Sequence, residues 1–209
     1  AGIVGNDGET HQGILDLSFF KIIPNINMMA PKDFKELEDM LEFAVALNKP
    51  IVIRYPRGGE GKNKFEKHEK IELGKAELIE EGKNLTILAI GKMVDRGYEL
   101  LKKLKEIGIE AELINVRFLK PLDTELILKS IEKTKKIVTI EDNILEGGLA
   151  SSIKELLIDN KIENIKIKNF GYPNVFVKHG TVDEIEKLYG LDIDNILKKT
   201  KELINEEEK

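Results

Sequence analysis

Four apolar segments begin 26, 25 and 29 residues apart, at 85, 111, 136 and 165, and the stretch after each carries helical periodicity. Leu100, Leu101, Leu104 and Ile107 form the apolar side of a helix over 96–107, which Gly108 stops. Pro121 and Asp123 open a second helix that runs through Ile131, and a third spans 149–158. Helices over 182–189 and 193–205 close the chain, and the acidic tail at 206–209 is read as frayed. Strand–helix repeats at this spacing require long crossovers. They predict an α/β fold with a mostly parallel sheet flanked by helices.

The front of the chain follows another rhythm. Residues 1–57 read loop, helix, strand. Asp33 is placed to N-cap a helix, with Glu36 three positions on as in a capping box. Phe34, Leu37, Leu41, Ala44 and Val45 then fall on one face, and Asn48 and Pro50 end the helix. A short strand over 51–53 leads into Arg54, Tyr55, Pro56 and Arg57. One helix and one or two strands cannot bury a core, so 1–60 is expected to be the remainder of a larger α/β domain. Gly58, Gly59 and Gly61 precede a charged run over 62–70, which reads as an exposed linker with His68 as a solvated histidine. A short strand or edge hairpin over 71–79 completes a 61–84 connection to a domain over 85–209. Ala1 is not an initiator methionine, and a glycine-rich loop lies flush against it. The chain is expected to be the C-terminal piece of a longer protein.

Composition excludes several partners. The net charge of −5 leaves no basic excess for nucleic-acid phosphates. Cysteine is absent, which removes disulfides and thiolate metal sites and is compatible with the cytoplasm. No apolar run has the length to span a bilayer, so no membrane partner is expected.

Residues able to do chemistry cluster in the loop 1–13 (AGIVGNDGETHQG), where four glycines accompany Asp7 and His11. A carboxylate and an imidazole four residues apart suit polar work on a substrate, and they equally suit local turn capping. Arg54 and Arg57 follow the end of a strand, where open parallel sheets bind ligands, and a guanidinium fork takes phosphate in a bidentate grip. The competing role is an ion pair at the core rim, to which Arg57 is the less suited because its glycine neighbours leave it reach. Glu141, Asp142, Glu146 and Gly148 join a strand to a helix start. Such a terminus attracts anions, but the acids there favour a connecting turn. His179, before Gly180, fits a structural or interface role better than catalysis.

Taken as one string, DGETHQG, DLSFF, IPN and MAPKD, then the Arg57 stretch IRYPRG, then EDNILEGG and the final His179–Gly180 pair, the chain resembles the 1-deoxy-D-xylulose-5-phosphate synthase family. These are thiamine-diphosphate-dependent enzymes of the transketolase group. The likeness is specific at the N-terminal end and only group-level from about residue 85. It implies a partial pyrimidine-binding-type domain followed by a transketolase C-terminal-type domain. It also implies a homodimeric cytoplasmic transferase that condenses pyruvate with glyceraldehyde 3-phosphate, losing CO2, in isoprenoid-precursor, thiamine and pyridoxal biosynthesis. By the same resemblance Arg57 holds the acceptor's phosphate, and His11 and Asp7 face the substrate as catalytic and substrate-binding residues. Thiamine diphosphate and Mg2+ are implied for the whole enzyme. The family's Gly-Asp-Gly motif with its later asparagine, the glutamate that activates the aminopyrimidine and an arginine just upstream of residue 1 are not in this sequence. The chain alone is therefore expected to be inactive, with its cofactor sites in a missing N-terminal portion. A transketolase, a 2-oxoacid dehydrogenase β subunit and a non-catalytic dimerisation module stand as alternatives.

Overall fold

The computed structural model describes residues 1–205; the tail at 206–209, read above as frayed, lies outside them. The repeat predicted from residue 85 is present as β4 (Leu85–Ala89), α3 (Met93–Glu106), β5 (Ala111–Asn115), α4 (Thr124–Thr134), β7 (Lys136–Ile144), α5 (Leu149–Asp159) and β8 (Lys166–Tyr172). With β3 (Glu77–Glu80), these strands form a sheet of order β3-β5-β4-β7-β8. Its pairs are parallel except the antiparallel edge pair β3–β5. Helices α6 (Val182–Leu188) and α7 (Ile193–Asn205) follow.

Every residue of β4 and β5 is buried, as a sheet covered on both faces demands. Alternate side chains of β4 enter different cores. Ile87 packs with Leu100 and Leu104 of α3 and Leu203 of α7, whereas Leu88 joins Ile127 and Ile131 of α4 and Ile153 of α5. Asp123 caps α4 by accepting from Leu126 N at 3.3 Å, and the same carboxylate accepts from Ala76 N at 3.0 Å.

The first part contains more than loop, helix and strand. α1 (Asp16–Lys21) and β1 (Asn27–Met29) precede α2 (Phe34–Leu47) and β2 (Ile51–Ile53). β1 pairs in parallel with β2 and antiparallel with β6 (Phe118–Lys120), a strand from the second half of the chain. β6 therefore completes a small sheet whose other two strands, β1 and β2, lie far earlier in the chain.

A buried ion network corrects two expectations. Asp33 caps α2 through Glu36 N at 2.8 Å, but the Glu36 carboxylate does not return to close a capping box. It accepts from Lys32 N at 2.6 Å, Arg117 Nε at 2.6 Å and Asn115 Nδ2 at 3.0 Å. Glu77 completes the group, 2.7 Å from Lys32 Nζ and 3.3 Å from Arg117 Nη2. Two cations and two carboxylates thus neutralise each other out of water, the condition under which buried charge is tolerated. Drawing Glu36 inward rotates α2. Met40 is buried and Phe43 packs on Phe118, while Phe34, Leu41 and Val45 of the expected inner stripe are exposed. His68 is not free in solvent either: its Nε2 lies 2.7 Å from Asp33 Oδ2.

Candidate functional site

The loop 1–13 is closed at its base by reciprocal hydrogen bonds, Gly2 N to Gly13 O at 2.9 Å and Gly13 N to Gly2 O at 2.7 Å. Glycine is required at position 2. Its φ is +71°, and a Cβ there would lie 1.7 Å from Asp142 Oδ2. The backbone continues into a single 3-10 turn over Gly5–Asp7, and His11 N bonds Gly8 O at 3.0 Å. Asp7 and His11 are both exposed on this turn-rich loop.

The second half of the chain holds the loop in place. Ile3 N donates to Asp142 Oδ1 at 3.3 Å, and Leu17 N donates to Asn143 Oδ1 at 3.1 Å. Ile144 N bonds Ile14 O at 2.8 Å. On the other side, a Cβ on Gly8 would touch His179 Cβ at 3.5 Å, so the 178–182 segment packs directly against the turn. Gln12 links both walls: its Oε1 accepts from Val4 N at 2.8 Å, and its Nε2 donates to Gly5 O and Lys178 O, each at 3.4 Å.

Arg57 reaches the loop from beyond the end of β2 and forms an ion pair with Asp7. Its side chain is 66% exposed, against 35% for Asp7. Gly58 and Gly59 beside it have open space around them. Arg57, Lys92 and Glu186 line one cleft with Ile3 and Val182. Lys92 is engaged there by Asp142 at 3.1 Å and Glu186 at 3.4 Å. The structure therefore brings Asp7 and Arg57 into contact. His11 shares their loop but contacts Thr10, whose Oγ1 is 2.9 Å from its Nδ1.

Arg54 takes the structural alternative. It is 5% exposed, its Nη2 donates to Asp142 O at 2.5 Å and Gly13 O at 3.1 Å, and Asp16 lies 3.7 Å from its Nε. Glu141 and Asp142 belong to more than a connecting turn. The Glu141 carboxylate is fully buried and accepts from Leu149 N and Ala150 N at 2.8 Å, filling the N-terminus of α5 from within. Burial pushes its pKa up to about 8 in spite of those two donors. Asp142 and Asn143 instead anchor the N-terminal loop. Sequence reasoning missed Gln12, Thr10 and Asn143; the only signal was their place inside the two motifs already singled out.

Residues 1–60 match the transketolase pyrimidine binding domain, and residues 74–196 match the transketolase C-terminal domain. The 1-deoxy-D-xylulose-5-phosphate synthase of Caldanaerobacter subterraneus subsp. tengcongensis is 44% identical over 207 residues, covering 97% of this chain and 33% of its own length. That of Halothermothrix orenii is 42% identical over 207 residues, covering 99% of the chain and 32% of its length. The chain thus spans about a third of the length of these curated relatives. Among solved structures, a split gene transketolase described as an inactive beta4 tetramer superposes with a TM-score of 0.87 at 29% identity, over 96% of this chain and 65% of that one. A transketolase mutant from Pichia stipitis superposes at 0.73 with 21% identity, covering 96% of this chain and 28% of that one, a likeness of fold alone.

Proposed function

Because the chain belongs to the transketolase family, we propose that it is the acceptor-binding C-terminal part of a 1-deoxy-D-xylulose-5-phosphate synthase. The whole enzyme would condense pyruvate with glyceraldehyde 3-phosphate, release CO2 and supply isoprenoid, thiamine and pyridoxal biosynthesis. In this reading residues 1–60 finish the pyrimidine-binding domain, 61–84 connect, and 85–209 form the C-terminal domain. The assembled enzyme would be a cytoplasmic homodimer. Among the described residues no helix is long and apolar enough to cross a membrane.

The placement of Arg57 against the loop that carries Asp7 and His11 is the observation that supports this reading. Arg57 is exposed and has room beside it, so its fork can grip the acceptor's phosphate. His11 engages Thr10 through Nδ1, which leaves Nε2 for the aldehyde oxygen. As the aldehyde carbon is attacked, that oxygen becomes an alkoxide, which His11 hydrogen-bonds or protonates. Asp7 orients His11 or a substrate hydroxyl. Dependence on thiamine diphosphate comes with the family, and the cofactor supplies the nucleophilic carbon derived from pyruvate. Among the described residues no three His, Cys, Asp or Glu side chains converge as metal ligands. We assign the Mg2+–diphosphate cradle to the rest of the enzyme.

CO2 release from pyruvate tests the proposal. The 209-residue chain with thiamine diphosphate, Mg2+ and both substrates is expected to show none above background. Joined to the two-thirds of its relatives' length that it lacks, it is expected to turn over. Arg57→Lys, which loses the fork, should then raise the KM for glyceraldehyde 3-phosphate about tenfold. The split gene transketolase likeness favours a second reading, a transketolase subunit. Turnover with a ketose phosphate donor in place of pyruvate would establish that reading instead.

A further inference from the structure

We propose that Asp7 is a specificity-determining residue that occupies the Arg57 guanidinium as an internal stand-in for phosphate, so that an incoming anion must displace it. The inference rests on the reading of Arg57 as a phosphate ligand.

Other arginines of the chain are held in place by several partners or by burial. Arg54 bonds two backbone carbonyls, Arg96 is paired with Glu99 at 2.5 Å and Glu186 at 2.7 Å, and Arg117 lies inside the buried network. Arg57 differs: its ion pair is with Asp7, fifty residues away, and both side chains reach solvent. An exposed pair of this kind is screened by water and readily exchanged. Asp7 meets the guanidinium through Oδ2 on Nη1, and a phosphate, which can take two N–H groups of the fork at once, competes for the nitrogen that Asp7 holds.

The carboxylate is held where it competes effectively. The turn that carries it is closed by Gly8 N to Gly5 O at 3.2 Å, braced by Gln12 and packed against the 178–182 segment. It therefore remains close to Arg57 after displacement. There it repels any anion on the fork. The result is a threshold. A singly charged carboxylate gains little over the internal one, whereas a phosphate dianion has more charge with which to displace it. Displacement also frees Asp7 to turn to the substrate hydroxyl or to His11.

Inorganic phosphate is the probe, titrated at constant ionic strength against the 15N-labelled 209-residue chain, with spectra reporting both fold and binding. Phosphate is expected to shift the amides of Arg57, Gly58 and the 5–8 turn, with acetate far weaker. Asp7→Asn should bind phosphate about fivefold more tightly, the size expected when an exposed charge pair is removed. Glu9→Gln removes the same charge from the same loop without touching the pair, and should stay close to wild type. Arg57→Gln should lose the response. If Asp7→Asn binds no more tightly than Glu9→Gln while Arg57→Gln still abolishes binding, the stand-in role is wrong and the Arg57 reading survives. If Arg57→Gln binds like wild type, or no variant responds to phosphate, both fall.

Discussion

Glu141 shows what one buried carboxyl does in this molecule. It is fully enclosed, and its two oxygens meet the first free N–H groups of α5. Burial outweighs those donors and lifts its pKa from 4.5 to about 8. The folded protein therefore binds this proton more tightly than the unfolded chain does. The stabilisation is complete below about pH 4.5 and is lost as pH rises through about 8. Between those limits each pH unit removes up to about 1.4 kcal/mol. Wild-type Tm should fall between pH 6 and 8.5. Glu141→Gln, which cannot titrate but turns an NH2 toward a backbone N–H, should start lower and change less across the same interval. Equal slopes in both proteins would remove Glu141 as the source. Asp7, His11 and Arg57 could be singled out in the sequence because their neighbours form a dense motif. The roles of Gln12 and Asn143 could not, because an amide reveals its job only through its partners. For Gln12 one partner is Lys178, and for Asn143 it is Leu17.

At the scale of elements, strands that alternate with long helices were legible, and short ones were not. β4, β5 and the first half of β7 are buried on both faces and carry enough apolar residues to be read as strands. The polar end of β7, over 141–143, reads as a turn. β6 has three residues, and its pairing with β1 depends on chain folded ninety residues earlier. The facing of α2 was misjudged for a related reason. Its apolar stripe looked inward by periodicity, but the Glu36 carboxylate had a stronger claim on the interior through Arg117 and Lys32. The start of α5 offers a test of how closely elements are fitted. A Cβ on Gly148 would lie 2.0 Å from Glu141 Oε2 and 2.9 Å from Ile144 O. Gly148→Ala should therefore push the carboxylate off the helix terminus and cost about 1–3 kcal/mol. Gly148 is the N-cap of α5, where Gly is favoured over Ala, so the capping preference points the same way. Denaturant titration would measure the loss, and a stabilised variant would mean that the strand end yields.

Beyond the bonds that hold the N-terminal loop, two devices cross between the parts of the molecule, the β1–β6 pairing and the buried group of Lys32, Glu36, Glu77 and Arg117. The second carries the stronger prediction. Lys32 and Glu36 belong to the first part, Glu77 to the edge strand, and Arg117 to the turn between β5 and β6. Arg117 also donates to Glu69 O at 3.0 Å, which draws in the connecting segment. Glu36→Ala would leave two buried cations facing one carboxylate. Loss of one partner from such a group costs about 3–5 kcal/mol. For a chain of this size that corresponds to a drop in Tm on the order of 10 °C. More telling is the shape of the transition. Wild type should unfold in one calorimetric step, with β2 and β7 amides exchanging in the same global event. In Glu36→Ala the first part should lose protection ahead of the five-stranded sheet, whose strands keep their packing against α3, α4, α5 and α7 even though Ile3, Ile14, Leu17 and Met28 of the first part share those cores. A single transition near the wild-type Tm, with β2 and β7 still exchanging together, would mean that the β1–β6 pairing and the bonds to Asp142, Asn143 and Ile144 join the parts without the buried charges. The fitted position of the Asp7 loop would then rest on Asp142, Asn143 and Gln12, without help from the buried charges.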